Sequence, residues 1–245
     1  MDRMLYLAMS GARQTLLAQT TATHNLANAT TAGFRADLEQ FRSMPVFGDG
    51  YPTRVYAMTE RPGIDFSHGS ILHTGNELDV AIQGDGWVAV QAPDGSEAYT
   101  RAGDLRLTSN GLLETGAGHP VIGNSGPIAV PPAEKIEIGV DGTIYIRPVG
   151  QAASVLAAVD RIKLVNPPQE SLVKGPDGLF RIADGLPSPP DALVRVTTGS
   201  VESSNVNSVE AMVDLINLAR LFELQIKAMQ SAQENETSAA QLMRM

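Results

Sequence analysis

The sequence predicts a mainly β central domain with long N- and C-terminal α-helices that pair as a coiled-coil-like layer. Three observations predict it. First, proline is absent before Pro45 and after Pro190, and the only glycines before Gly48 are Gly11 and Gly33, with none after Gly199. Both residues disfavour helix interiors, so their absence leaves each end free to form a long helix. Second, apolar residues recur at spacings of three and four near both termini. Third, the middle holds short alternating apolar runs separated by Asp-Gly and Asn-Gly turn signals.

The first helix is expected from about Arg3 to Asn28, with Asp2 as its cap. Leu5, Met9, Ala12, Leu16, Gln19, Thr23 and Leu26 form its stripe, a coiled-coil-like pattern with polar interruptions. Gly33 is a natural stop, because glycine tolerates left-handed backbone. The second helix opens on a capping box, Asn207-Ser208-Val209-Glu210. Val209, Met212, Ile216 and Ala219 make one stripe, which Phe222, Ile226 and Met229 continue. A helix of roughly 30 residues wants a partner face, because its own propensity is not enough. Pairing with the first helix, in this chain and across neighbouring copies, supplies one.

Between them, 79–83 and 87–91 flank Gly84-Asp85-Gly86 and read as a hairpin. Residues 97–101 follow the Asp94-Gly95 turn. Leu105–Thr108 turns back through Asn110-Gly111 into Leu112 and Leu113, and 136–138 meets 143–146 through Asp141-Gly142. Residues 159–165 and 178–182 add short strands. Such a run of strands predicts an antiparallel, largely non-local sheet or barrel. The chain therefore divides into an N-terminal helix and Asn-rich corner (1–35), an extended or irregular connector (36–76), a β-rich central domain (77–200) and a C-terminal helix (201–245).

Composition narrows the function. The chain of 245 residues carries a net charge of -9 and no cysteine. An acidic chain does not suit nucleic acid or anionic lipid, which need clustered Lys and Arg. Without cysteine there is no disulfide, thiolate nucleophile or Cys-based metal site. No apolar run approaches the length of a membrane span, and the interrupted N-terminus reads as mature sequence rather than a cleaved leader. His24, His68, His73 and His119 are scattered, with no His-x-x-x-His pair. Gly84-Asp85-Gly86-Trp87 lacks the Lys-Ser/Thr of a phosphate loop, and the Asp-Gly pairs lack the rest of a calcium loop. No carboxylate pair stands out as a general acid and base. Trp87, the one tryptophan, sits in an alternating strand and is expected in the core. No catalytic, cofactor-binding or metal-binding residue is assigned, and no small-molecule substrate.

The stretch THNLANATTAGFR, residues 23–35, is too polar for a core and too poor in reactive groups for catalysis. It resembles the N-terminal signature of the axial proteins of the bacterial flagellum, the rod, hook and hook-associated proteins. The matching residues are Asn25, Leu26, Ala27, Asn28, Thr31, Gly33, Phe34 and Arg35. VESSNVNSVEAMVDLINLARLFELQIK is similar to the C-terminal signature, through Ser204, Asn205, Val206, Glu210, Met212, Phe222 and Glu223. Many relatives have Tyr where Phe222 stands and Gln-Arg where Ala219-Arg220 stands. DVAIQGDGWVAVQAPDGSEAYTRAGDLRLTSNGLL is similar to the central block of rod and hook members. The opening, the 119–123 block and the length resemble proximal-rod members most, with distal-rod or hook-type members as the alternative.

The resemblance implies a non-catalytic structural subunit of the basal-body rod. Its partners would be other rod proteins, copies of itself and the flagellar type III export apparatus, and its address the rod across the periplasm. The competing reading from residues alone is an extracellular β-rich glycan-binding or hydrolase module. Within the corner, Asn25 and Asn28 share one helix face, where their amides can satisfy backbone groups at the bend. Gly33 permits the bend, Phe34 anchors it, and Leu26 points into the helical layer. Asn207, Ile216, Ile226 and Met229 join the candidate assembly residues through the second helix.

Overall fold

The computed structural model describes residues 4–45, 47, 55–148, 150 and 156–243. Asp2 and Arg3, expected to cap and open the first helix, lie outside the described residues. The chain forms two compact units. The first comprises Met1–Ala29, Ala36–Asp65 and Val206–Met245, and the second Thr30–Arg35 and Phe66–Asn205.

The first unit holds the two helices, α1 (Met4–Ala27) and α2 (Ser208–Leu242). At 1.5 Å per residue, the 35-residue α2 is about 50 Å long. The helices pack against each other, leaving the end of α2 from Gln233 exposed. The face α1 buries shares Ala12 with the expected stripe, whose Gln19 and Leu26 are half-buried and whose Thr23 is exposed. Its buried residues are Ala8, Gly11, Ala12, Thr15, Ala18 and Thr21, whereas Leu5, Met9 and Leu16 are exposed. On α2 the covered positions include Ala211, Leu215, Leu218, Phe222, Gln225, Met229 and Ala232, alternating four and three residues apart, flanked by half-buried Ala219, Ile226 and Ala228. Val209, Met212 and Ile216, expected in that seam, are more than half exposed. Small side chains let two backbones approach closely: a Cβ on Gly11 would sit 3.0 Å from the Gln225 side chain.

Residues 36–65 also belong to this unit. The stretch read as an extended or irregular connector is extended here: it forms β1 (Asp37–Pro45) and β2 (Val55–Ile64), an antiparallel pair with a bulge between Leu38 and Gln40. This pair packs on α1. Its irregular sequence period reflects a ribbon largely open to solvent on both faces of β1 beyond Glu39, so no alternation was imposed.

The second unit is wholly antiparallel. A five-stranded sheet runs in the order β12 (Leu164–Val165), β5 (Trp87–Gln91), β6 (Glu97–Thr100), β14 (Phe180–Ile182), β13 (Leu172–Lys174). A three-stranded sheet orders β11 (Ala157–Arg161), β10 (Thr143–Pro148), β9 (Ala133–Ile138). Two-stranded pairs join β3 (Ile71–His73) to β16 (Ser200–Glu202), β4 (Val80–Gln83) to β15 (Arg195–Thr198), and β7 (Leu105–Leu107) to β8 (Leu113–Thr115). The turns at 94–95, 110–111 and 141–142 form as their sequences predict. The hairpin expected across Gly84-Asp85-Gly86 does not. β4 pairs with β15, and β5 with β6 and β12. Gly84 and Gly86 have φ of 71° and 138°, which turn the chain out of the β4 plane. The Arg101 guanidinium then occupies the turn, donating to the carbonyls of Gly84 at 2.9 Å and Gly86 at 2.8 Å. Val80, Val88, Val90, Leu113, Val121, Ile128, Ile144 and Leu164 build the core. Trp87 is buried, 4.5 Å from the Phe180 ring.

Candidate functional site

The N-terminal motif is divided between the units: Ala29 ends the opening segment of the first, and Thr30 begins the second. In the first unit, α1 stops at Ala27, six residues before Gly33, so Gly33 is not its stop. The helix ends because its last carbonyls find other donors. The Asn28 side-chain amide donates to the His24 carbonyl at 2.9 Å, and the Asn28 backbone N–H reaches the same oxygen at 3.2 Å. Asn25 makes a reciprocal pair with Asp37 at the head of β1. Its Nδ2 donates to the Asp37 carbonyl at 2.8 Å, and its Oδ1 accepts from the Asp37 N–H at 3.0 Å. Asp37 also lies 3.1 Å from His24 Nδ1. The two asparagines thus serve backbone groups at the bend, one within α1 and one across to β1. Leu26 is half-buried and Ala27 exposed.

In the second unit, Gly33, Phe34 and Arg35 are buried and Thr31 is exposed. Gly33 has φ of 66°, and a Cβ there would meet the Arg101 carbonyl carbon at 2.1 Å. Both constraints require glycine. Its N–H donates to the Glu202 carbonyl at 2.8 Å, and the Asn205 N–H donates to the Phe34 carbonyl at 3.3 Å. The Lys174 ammonium sits 4.0 Å from the Phe34 ring centroid and donates to the Arg35 carbonyl at 2.8 Å. Asn205 Nδ2 also donates to the Ser67 carbonyl at 3.2 Å, and Ser204 is buried.

At the centre lies a buried charge cluster that sequence reasoning missed. The Glu202 side chain is 2 % exposed. Its Oε1 accepts from Arg35 NH2 at 2.6 Å and from the Gly69 N–H at 2.9 Å; its Oε2 accepts from Arg101 Nε at 2.6 Å. Burial pushes the Glu202 carboxyl upward, but Arg101 and Arg35 together outweigh it and hold it below the usual carboxylate range. Burial in turn lowers Arg101, against the pull of Glu202. The partners are 167 and 101 residues apart in sequence, so no local pattern joins them. The one signal was a lone acidic residue, Glu202, just ahead of the Ser-Asn-Val signature.

The C-terminal candidates lie on or beside α2. Asn207 caps it, its side chain accepting from the N–H groups of Val209 at 3.1 Å and Glu210 at 3.4 Å. Val206 is half-buried and Glu210 exposed. Phe222, Ile226 and Met229 are half-buried, whereas Met212, Ile216 and Glu223 are exposed. The candidates therefore divide into a covered set in the seam and an open set on its outer face.

Among the described residues no group of three His, Asp or Glu side chains is placed to hold a metal ion, and no helix is long and apolar enough to cross a membrane. One groove, about 460 Å³ and lined by Gln91, Glu97, Asn124 and Lys163, has its Lys163 ammonium already paired with Glu97 at 2.7 Å.

Residues 81–146 match the flagellar hook protein FlgE/F/G D1 domain, and residues 197–242 match the flagellar basal body rod FlgEFG protein C-terminal region. Over the full length of both chains, the sequence is 45% identical to the flagellar basal-body rod protein FlgF of Escherichia coli and 44% identical to that of Salmonella typhimurium. It is also similar to the flagellar basal-body rod protein FlgG of Buchnera aphidicola, 29% identical over 97% of this chain and 98% of the relative.

Proposed function

This chain belongs to the FlgF family of flagellar basal-body rod proteins, and on that premise we propose how its residues divide the work of a structural, non-catalytic rod subunit. The subunit is carried out by the flagellar export apparatus and polymerises with other rod proteins to build the rod across the periplasm. The N-terminal corner and the C-terminal signature set the backbone path: Asn25 and Asn28 at the end of α1, Gly33, Phe34 and Arg35 in the β unit, and Ser204, Asn205, Val206 and Asn207 leading into α2. Leu26, Phe222, Ile226 and Met229 hold the helix pair together within one chain. Met212 and Ile216, with Leu5, Met9 and Leu16 of α1, are the contact face for neighbouring subunits.

One observation carries this division. The fully buried residues of the two helices are all alanine, glycine or threonine, whereas Leu5, Met9, Leu16, Met212 and Ile216 lie in water. A chain that had only to fold by itself would do the reverse. Large exposed apolar rows mark surfaces that a partner covers, and a helical filament needs faces that meet different faces of the next copy.

The test is a deletion strain scored for swimming and for rod completion, complemented with two variants. Ile216→Asp places a charge on the open face, where the isolated chain pays almost nothing for it. It should be exported, fold, and leave the rod incomplete and the cells non-motile. Gln233→Glu, on an exposed and already polar position near the end of α2, should swim. A deletion strain that builds complete rods sinks the proposal outright. An Ile216→Asp strain that swims leaves the family standing and removes the contact face.

A further inference from the structure

We propose that Glu202 is the positioning residue of the N-terminal motif: its single carboxylate decides whether residues 30–35 lie docked in the β unit as a strap or detach from it while the β core stays folded. The inference goes beyond the rod role and does not depend on it, because the isolated chain tests it without assembly.

Within the β unit, residues 30–35 are a separate short segment added to the continuous stretch 66–205. Most of what fixes them converges on Glu202 and its neighbours. Gly33 donates to the Glu202 backbone at 2.8 Å, Arg35 to the Glu202 side chain at 2.6 Å, and Phe34 accepts from Asn205 at 3.3 Å. Lys174 adds a hold from elsewhere in the unit, on the Phe34 ring and the Arg35 carbonyl.

The cluster is unbalanced. Two buried guanidinium groups share one buried carboxylate, and the other carboxylate that acts on Arg101, Asp85, is exposed to water, so the buried groups carry an excess positive charge. The two arginines are not equivalent. Arg101 is satisfied on several sides, by Glu202 and by the carbonyls of Gly84 and Gly86. Arg35 has one bonded nitrogen; its Nε and NH1 are buried with no partner among the described residues. Buried N–H groups without acceptors oppose docking, as does burial of a surplus charge.

Undocking therefore strands no charge in the unit. Glu202 keeps Arg101 at 2.6 Å and the Gly69 N–H at 2.9 Å, while Arg35 gains water for its unpaired donors. Losing Glu202 is the opposite case: both guanidiniums lose their carboxylate, and the strap loses the side-chain anchor. Removing the shared partner of a buried charge cluster is far more damaging than replacing one flanking charge by an apolar group of similar size.

Amide hydrogen exchange on the full-length chain separates local undocking from global unfolding. The strap reporters are the N–H groups of Gly33 and Asn205; the core reporters are those of Leu113 and Val121, which donate to Ile128 and Leu113. In the wild type the strap amides should exchange faster than the core amides. Glu202→Gln should widen that gap by about tenfold or more. Arg35→Met should narrow it, or widen it by less than about threefold, because the surplus charge and the unpaired donors go with the side chain. Equal rates at strap and core in the wild type would overturn the proposal. So would a Glu202→Gln variant in which both sets accelerate alike, or an Arg35→Met variant whose gap widens by about threefold or more. Where Glu202→Gln fails to fold, the wild type and Arg35→Met decide the matter by the same criteria.

Discussion

The two units treat apolar side chains in opposite ways. The β unit hides them: Val90 and Val121 have no exposure and Leu113 has 1 %. The helical unit hides small residues and displays large ones, with Ala18 at 2 % and Met9 at 55 %. One unit has spent its hydrophobic surface on its own core, and the other has kept much of its surface in reserve. The difference shows that burial in this chain follows the job of each region rather than residue size. A region that folds alone must bury its largest apolar groups, whereas a region completed by neighbours must offer them.

The largest expected effect is in the β core. Leu113→Ala should cost about 2–5 kcal/mol, the range for a truncated core leucine. Trp87 is the only tryptophan and lies in this unit, so its fluorescence reports the loss directly. The helical circular dichroism of α1 and α2 should melt as in the wild type. A single coincident transition, lowered in both signals, would break the distinction between the units.

A smaller effect is expected at the helix seam. Ala18→Leu forces a large side chain into a close approach and should cost about 1–3 kcal/mol by overpacking. Here the helical signal should fall and the Trp87 transition should hold. No change in either would mean that the seam has room, and that smallness at Ala18 is not a packing requirement.

On the open face, Leu16→Asp should change the stability of the isolated chain by no more than about 0.5 kcal/mol, as surface substitutions do. The same variant should abolish swimming in a complemented deletion strain. A drop in helix stability comparable to that of Ala18→Leu would show that Leu16 is used inside the chain and would erase the contrast.

The smallest effect is on pH. The Glu202 carboxyl is held low, so its contribution is complete above the unfolded value near 4 and is lost as pH falls through its depressed folded value. Asp104 goes the other way. Burial raises its carboxyl, so it disfavours folding at neutral pH and that penalty lifts as pH falls through its raised value. The thermal midpoint seen by Trp87 should therefore rise slightly on mild acidification, then drop below about pH 4. Asp104→Asn should remove the rise and keep the drop. A rise that survives in Asp104→Asn would assign it to another group.

Much of the local architecture was legible in the sequence. Proline and glycine are confined to the middle because they break helices, and the turns at Asp94-Gly95, Asn110-Gly111 and Asp141-Gly142 are chemical necessities of a tight reversal. Asn207 announced the start of α2 through its side-chain oxygen. These signals are local: a few adjacent residues decide the backbone, whatever surrounds them. The motif residues of the candidate site were also legible, but only as a resemblance, without the contacts that explain them.

Tertiary structure decided the rest. Both helices carry apolar residues on more than one face, and periodicity says that a stripe exists, not which stripe meets the partner in the same chain. Backbone proximity chose the one lined by Ala8, Gly11, Thr15 and Ala18, because only small side chains let the helices close together. The Gly84–Gly86 turn looked like a hairpin until Arg101 took its carbonyls and β4 found β15. Glu202 joined Arg35 and Arg101 across most of the chain, where no spacing rule operates. Charge pairing at such separation is fixed by which surfaces fold against each other, and a linear sequence does not display that.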